Sequence, residues 1–371
     1  MRVGVPREIK ADENRVGITP GSAREYVAHG HTVLVETGAG LGMGASDNDF
    51  VSAGATLVDS AAEVFSRADM VVKVKEPQPV EWAQLREGQI LYTYLHLAPD
   101  PEQTRGLVES GVTAIAYETV TDDHGGLPLL APMSEVAGRL SIQAAAHSLE
   151  KHSGGLGLLL GGVPGVKPGK VVVIGGGVVG TNAARMAVGL GADVVVLDRS
   201  LPRLRQLDEL FDNRAMTRFS THEALEEEVI SADAVIGAVL LPGASAPKLV
   251  TRDMLTRMKD GAVIADVAID QGGCFETSKP TTHADPTYIV NGVVHYCVAN
   301  MPGAVPRTSS FALNNATLPF GLALADQGLE AAMQNPHLKN GLNVHKGLVT
   351  NIAVAESLGI AYTPADKALS H

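Results

Sequence analysis

Short, almost unbroken apolar runs recur along the chain. They lie at 32–36 (TVLVE), 70–74 (MVVKV), 90–95 (ILYTYL) and 112–117 (VTAIAY), then at 171–174 (VVVI), 194–197 (VVVL), 234–240 (AVIGAVL) and 262–268 (AVIADVA). A strand that alternates apolar and polar residues has one wet face. A strand that is apolar throughout is covered on both, the condition of a parallel sheet between helices. Stretches with helical patterning separate the runs and complete β-α-β units. The pattern therefore predicts an α/β chain with two Rossmann-like, doubly wound parallel sheets. The seam falls near 130–170, where a long helix over 134–150 gives way to SGGLGLLLGGVPGVKPG, a loop rich in Gly and Pro. The second sheet should close near 298, after the strand-like VVHYCV. Residues 308–359 read as mostly helical, with no strands of their own, packing back on the first domain.

Length fits this picture, since 371 residues hold two domains at a prior of ~150 each. Aromatic residues are only 4% and glycines number 40, so the core must be built from Val, Ala, Leu and Ile with many tight turns. A net charge of -12 argues against nucleic acid or an anionic membrane as partner, because both attract basic surfaces. Cys274 and Cys297 form no C-x-x-C, which suggests neither a zinc site nor a disulfide framework and fits a reducing compartment. The N-terminal MRVGVPREIKADENR is charged throughout and carries no apolar signal region, and no stretch reads as a membrane span. The expectation is a soluble, cytoplasmic protein.

After the run at 171–174 comes Gly175-Gly176-Gly177-Val178-Val179-Gly180, a G-x-G-x-x-G that opens a helix running to about Leu190. Gly175 permits the tight turn, Gly177 lets the backbone approach a pyrophosphate, and Gly180 lets helix and strand pack closely. The N–H groups near Val178 and Val179 then face the phosphates, aided by the helix dipole. Asp198 ends the next strand, 18 residues past Gly180. A carboxylate there can accept both ribose hydroxyls and repels a 2′-phosphate, which favours NAD over NADP. An earlier loop, GAGLGMGAS, imitates the motif but has Met43 where the third glycine belongs, and it reads as structural.

Ligands of parallel sheets bind at the carboxyl ends of the strands. Lys75 closes MVVKVK, His96 follows ILYTYL, Asp270 follows VIADVAI, and Arg15 lies in the loop after the first short strand. Singly, each has an ordinary reading: a solvated strand end, a loop histidine, a turn-starting acid and a surface ion pair. Together they supply two cations to hold a carboxylate, and an imidazole and a carboxylate for proton transfer. A small 2-oxo or 2-amino acid beside a nicotinamide needs that set.

REIK with ENRVGITP, GAGLGMGASD, VKVKEP, TYLHLAPD, APMSEVAGRLS, IGGGVVG, DVAIDQGG and HYCVANMPGAVPRTS occur in order along nearly the whole chain. In this series the chain resembles the alanine dehydrogenase family, which also takes in the NAD-binding subunit of nicotinamide nucleotide transhydrogenase. The resemblance implies NAD-dependent interconversion of L-alanine with pyruvate and ammonium. The alternatives are a transhydrogenase subunit and a non-catalytic NAD-binding regulator. It implies that Arg15 and Lys75 hold the substrate and that His96 and Asp270 are the catalytic pair, drawn from different domains. Cofactor contacts carry over to Ser134, Val178, Val179, Asp198, Arg203, Ser220, Val239, Leu240, Val267, Ala268, Ile269, Asp270, Lys279, Val298, Ala299, Asn300 and Met301. It implies a substrate domain over 1–130 and 305–371, an inserted NAD-binding domain over 131–304, and a homo-oligomer, commonly a hexamer. The resemblance also implies a metal site near the start of the C-terminal helix, sometimes expected in relatives. LALADQG has no adjacent acid–histidine pair, so no required metal is expected.

Overall fold

The computed structural model describes residues 1–239 and 246–370. It divides into two compact units, Met1–Met133 with Val305–His371, and Ser134–Ala304. In the first unit β1 (Arg2–Val5), β2 (Thr32–Glu36), β3 (Thr56–Val58), β4 (Met70–Val72), β5 (Ile90–Thr93) and β6 (Thr113–Ala116) lie in the order β3-β2-β1-β4-β5-β6. All five pairings are parallel. In the second unit β7 (Lys170–Ile174), β8 (Asp193–Asp198), β9 (Met216–Phe219), β10 (Ala234–Gly237), β11 (Val263–Asp266), β12 (Thr287–Val290) and β13 (Val293–Tyr296) give β12-β13-β11-β10-β7-β8-β9. Only β12 runs antiparallel, at the edge. Both sheets thus reverse strand order beside their first strand, which opens a crevice at the carboxyl edge there. The central strands are buried along their whole length, as unbroken apolar runs require.

The tail departs from expectation. β14 (Leu342–His345) and β15 (Leu348–Val349) form a hairpin, and β14 pairs antiparallel with β6, widening the first sheet to eight strands. Residues 308–359 are therefore not strandless. The two-residue turn is Lys346-Gly347, with φ of 46° and 81°, the left-handed pair of a tight hairpin but without its usual Asn or Asp. Asn343 and His345 also mask the strand, because both are polar yet 2% exposed. They are satisfied by Thr119 at 2.8 Å and Thr113 at 2.9 Å. The preceding helix Pro306–Gln327 lies on the first unit, where Asn314 accepts the Thr19 N–H at 2.8 Å and the Thr317 carbonyl accepts the Tyr92 hydroxyl at 3.1 Å.

Side chains cap most of the helix starts that matter here. Thr19, Ser60, Asp100, Ser200 and Thr221 each accept a first-turn N–H. The helix Val178–Gly189 starts at Gly177 with no side-chain cap. Among the described residues, no helix is long and apolar enough to cross a membrane.

Candidate functional site

At the carboxyl end of β7, Gly175 adopts φ +100°, a backbone that L side chains rarely take. A Cβ on Gly180 would overlap the Gly175 carbonyl, so the helix lies directly against the turn. A Cβ on Gly177 would meet nothing within 4 Å. The uncapped helix start therefore faces open space through a residue without a side chain, which fits a pyrophosphate. Asp198, the last residue of β8, accepts the Gly176 N–H at 2.7 Å and the Ser200 N–H at 2.8 Å, one on each oxygen. A carboxylate oxygen has two lone pairs, so the acid can brace the loop and accept from a ligand as well. Arg203 braces the same loop: Nε donates to the Gly176 carbonyl and Nη2 to Thr181 Oγ1, both at 2.6 Å.

These glycines should separate under substitution. Gly180→Ala must displace the Gly175 carbonyl, so thermal stability and dinucleotide binding should fall together. Gly177→Ala has room, so the melting temperature should hold while NADH binding, followed by fluorescence titration, weakens roughly tenfold, the scale of one lost charge-assisted hydrogen bond.

The other candidates in this unit lie mostly beyond the ends of neighbouring strands. Ser220 follows β9 and donates its N–H to the Asp198 carbonyl at 2.9 Å. Val239 follows β10; Leu240 lies outside the described residues. Val267, Ala268, Ile269 and Asp270 follow β11, with Asp270 exposed in the 3-10 turn Ile269–Gln271. Val298, Ala299, Asn300 and Met301 follow β13, Asn300 at φ +59°. Ser134 lies instead in the first turns of the helix Ala131–Ser148. Lys279 lies between β11 and β12, its ammonium 4.5 Å from the Tyr288 ring centroid. Sequence reasoning passed over Asp266. This fully buried acid accepts the Ala268 N–H at 3.2 Å, the Cys274 N–H at 2.9 Å and the Ser278 hydroxyl at 2.5 Å. It closes the loop that carries Asp270, and burial raises its carboxyl above the ordinary range. Its only signal in the sequence was an acid inside the apolar run 262–268. Both cysteines are free and buried, and burial pushes the Cys274 thiol up to about 12.

In the first unit the candidates follow β1, β4 and β5. Arg15 is 2% exposed, which overturns its reading as a surface ion pair. Its partner is the buried Glu13, which accepts from Nε at 2.7 Å and from Nη2 at 2.5 Å, while Nη1 reaches Met133 Sδ at 3.0 Å. Burial alone would lower the guanidinium, but Glu13 outweighs it and keeps the charge secure. Lys75 lies three residues past the end of β4, with Nζ 4.0 Å from Glu76, which also pairs with Lys10. Burial works to raise Glu76, yet Lys75, Lys10 and His96 together hold it below its ordinary value. His96 takes φ +50°, unusual for a non-glycine residue and a mark of local constraint. Glu118, just beyond β6, accepts the His96 N–H at 2.7 Å and the Leu95 N–H at 3.1 Å, which fixes that turn. The imidazole stacks on Tyr94, with centroids 5.8 Å apart, and its side chain stays 44% exposed. A constrained, open imidazole and two oriented cations at one strand edge can hold a carboxylate and move protons. Glu13 and Glu118 carried no sequence signal, because their partners are found by folding rather than by spacing.

The GAGLGMGAS loop is structural. A Cβ at Gly40 would strike Phe50 at 2.6 Å and Ala45, and one at Gly42 would strike Asn14. The Gly38 N–H is already taken by Asp47 at 2.8 Å, where a phosphate would have to sit.

The profile of the alanine dehydrogenase/PNT N-terminal domain matches residues 4–137, and that of the C-terminal domain residues 141–352. The chain is 62% identical over 366 residues to an alanine dehydrogenase of Halomonas elongata, covering 98% of this chain and 99% of that one. A solved L-alanine dehydrogenase superposes with a TM-score of 0.94 at 54% identity, over 97% of this chain and 99% of the other. A transhydrogenase from Sinorhizobium meliloti superposes with a TM-score of 0.82 at 26% identity, over 95% and 100%.

Proposed function

The chain belongs to the alanine dehydrogenase/PNT family, and from that premise we propose that it interconverts L-alanine and water with pyruvate and ammonium, using NAD. Family membership implies a nicotinamide cofactor; NAD rather than NADP rests on Asp198 at the end of β8. The observation that carries the reading is that Lys75 and His96 both act on Glu76 while Arg15 acts on Tyr94, the ring that stacks on His96, in a chain whose other sheet carries a bare glycine-loop helix start. A transhydrogenase subunit needs the second feature alone, and that reading draws on the more distant relative.

In this reading Arg15, oriented by Glu13, and Lys75 hold the substrate carboxylate. His96 and Asp270 take and return the protons as the amine is deprotonated, as water adds to the imine carbon, and as the carbinolamine collapses to pyruvate and ammonia. When bound, NAD would supply hydride-acceptor chemistry for the substrate Cα, and the glycine loop, Asp198 and the segments following β9, β10, β11 and β13 would hold it. The reading extends to a cytoplasmic homohexamer, which light scattering of the purified protein tests.

The deciding assay is oxidation of NADH in the presence of pyruvate plus ammonium. Turnover that requires all three supports the reading; NADH binding without turnover overturns it. Asp198→Ala should weaken NADH binding by ~1–3 kcal/mol and narrow the gap between NADH and NADPH, because acceptor contacts and a repulsive charge go together. Dissociation constants for both coenzymes read this out, and an unchanged ratio removes Asp198 from the ribose.

A further inference from the structure

Away from both strand edges, the first unit brings His29, His31 and Asp326 together, their donor atoms all within 4.8 Å of one another. Asp326 Oδ2 lies 3.0 Å from His29 Nδ1, and Oδ1 lies 2.9 Å from His31 Nε2. We propose that these three side chains bind one divalent transition-metal ion, of which Zn²⁺ is the type. The ion staples the helix Pro20–Ala28 and the start of β2 to the last turn of the helix Pro306–Gln327.

The donor set selects the ion. Two imidazole nitrogens and one carboxylate oxygen suit Zn²⁺ and its neighbours, whereas Mg²⁺ and Ca²⁺ prefer oxygen throughout. Metal–ligand lengths of about 2.0–2.1 Å in a tetrahedron place donor atoms roughly 3.3 Å apart. The observed 2.9 and 3.0 Å need only small side-chain turns to reach that. The backbone beneath is set. His29 ends its helix with its N–H donated to the Glu25 carbonyl at 3.0 Å, and His31 stands one residue before β2. Asp326 rides on a helix packed so closely that the Tyr26 hydroxyl fills the space of a Cβ on Gly321. His31 is 7% exposed while His29 and Asp326 stay open at 43% and 35%, which leaves the remaining coordination position to water. The far nitrogen of His31, Nδ1, faces the Met1 amino group at 3.2 Å. Nothing in LALADQG reveals this. Asp326 has no histidine beside it in sequence, and its partners come from 295 and 297 positions away.

Titration of metal-stripped protein with ZnCl₂ by calorimetry tests the site. One saturable Zn²⁺ per chain is expected, with a rise in melting temperature and a visible ligand-field band when Co²⁺ replaces it. Asp326→Asn and His29→Gln should each weaken binding by roughly tenfold or more, a scale that even outer partners reach, and abolish the thermal rise. The double variant His147→Ala/His152→Ala removes the other donor cluster among the described residues, His147, Glu150 and His152, and should leave binding unchanged. Circular dichroism checks each fold, and His29→Gln, at an exposed position, decides the matter should Asp326→Asn misfold. No saturable binding in the parent, or parent-like affinity in His29→Gln, overturns the proposal.

Discussion

Asp270→Asn and His96→Asn should each lower kcat for reductive amination of pyruvate by ~10²-fold or more, the scale of positioned proton-transfer groups. Asp270→Asn keeps the side-chain shape in the exposed 3-10 turn and removes the base. His96→Asn is chosen because Asn tolerates the φ of +50° that Glu118 imposes through its two N–H contacts. Steady-state kinetics with pyruvate and ammonium varied separately are the measurement. NADH affinity should survive in His96→Asn, whose position lies in the unit without the glycine loop. It should fall modestly in Asp270→Asn. The double variant should be far less impaired than the product of the singles, because the proposed reaction uses the two residues in one proton path and such residues fail as a unit. A pH profile that loses one limb in a single variant supports the pair. Near-parent turnover in either folded variant removes that residue from the chemistry.

Lys73→Met should lower the unfolding free energy by about 3–5 kcal/mol, the range for removing one partner of a buried ion pair. Lys73 is fully buried between Glu8 and Glu81, with Nζ 3.0 and 2.8 Å from their carboxylates. Burial by itself would lower the ammonium, but the two acids outweigh it and raise it. Burial likewise raises Glu8, with Lys73 opposing. Without the lysine, both carboxylates lie in the core uncompensated. Glu8, already raised by burial, then loses the charge that opposes the rise, so the penalty is greatest at neutral pH and shrinks as acid protonates it. Urea midpoints at pH 7 and pH 5 check both the size and the direction. Lys75→Met, two residues on, should cost less than Lys73→Met, because Lys10 remains as a second cation on Glu76. It should instead raise the KM for pyruvate. Equal stability losses at the two positions would count against placing Lys75 at the substrate.

That pair of lysines shows where sequence reading ends. VKVK sets two identical cations two residues apart, hence on one side of an extended chain, and pattern alone does not distinguish a buried structural charge from one at a sheet edge. The difference is decided by Glu8 and Glu81, which reach Lys73 from 65 and 8 positions away. Arg15 is similar. Its charge and its place after β1 were legible, but its burial and its fixed guanidinium plane depend on how the loop folds over Glu13.

What the sequence determined by itself was whatever has a short physical range. Continuous apolar runs require two covered faces, and from them came the parallel sheets and the α/β class. The glycine loop with Asp198 was legible because its turn, helix start and strand-end acid are local conformational demands, met within residues 175–198. The ordered motifs placed the chain in its family because they span nearly all of it. Tertiary structure decided the rest. The tail yields two strands, because β6 offers an open edge and Thr113 and Thr119 absorb the polar side chains of β14. His96 is held at a positive φ, because Glu118 reaches it from the turn after β6. Asp326 meets two histidines from the opposite end of the chain, because two helices pack at Tyr26 and Gly321. Each of these is a contact between distant segments, and such contacts are fixed by packing and by the pairing of buried polar groups, neither of which leaves a period or a spacing in the sequence.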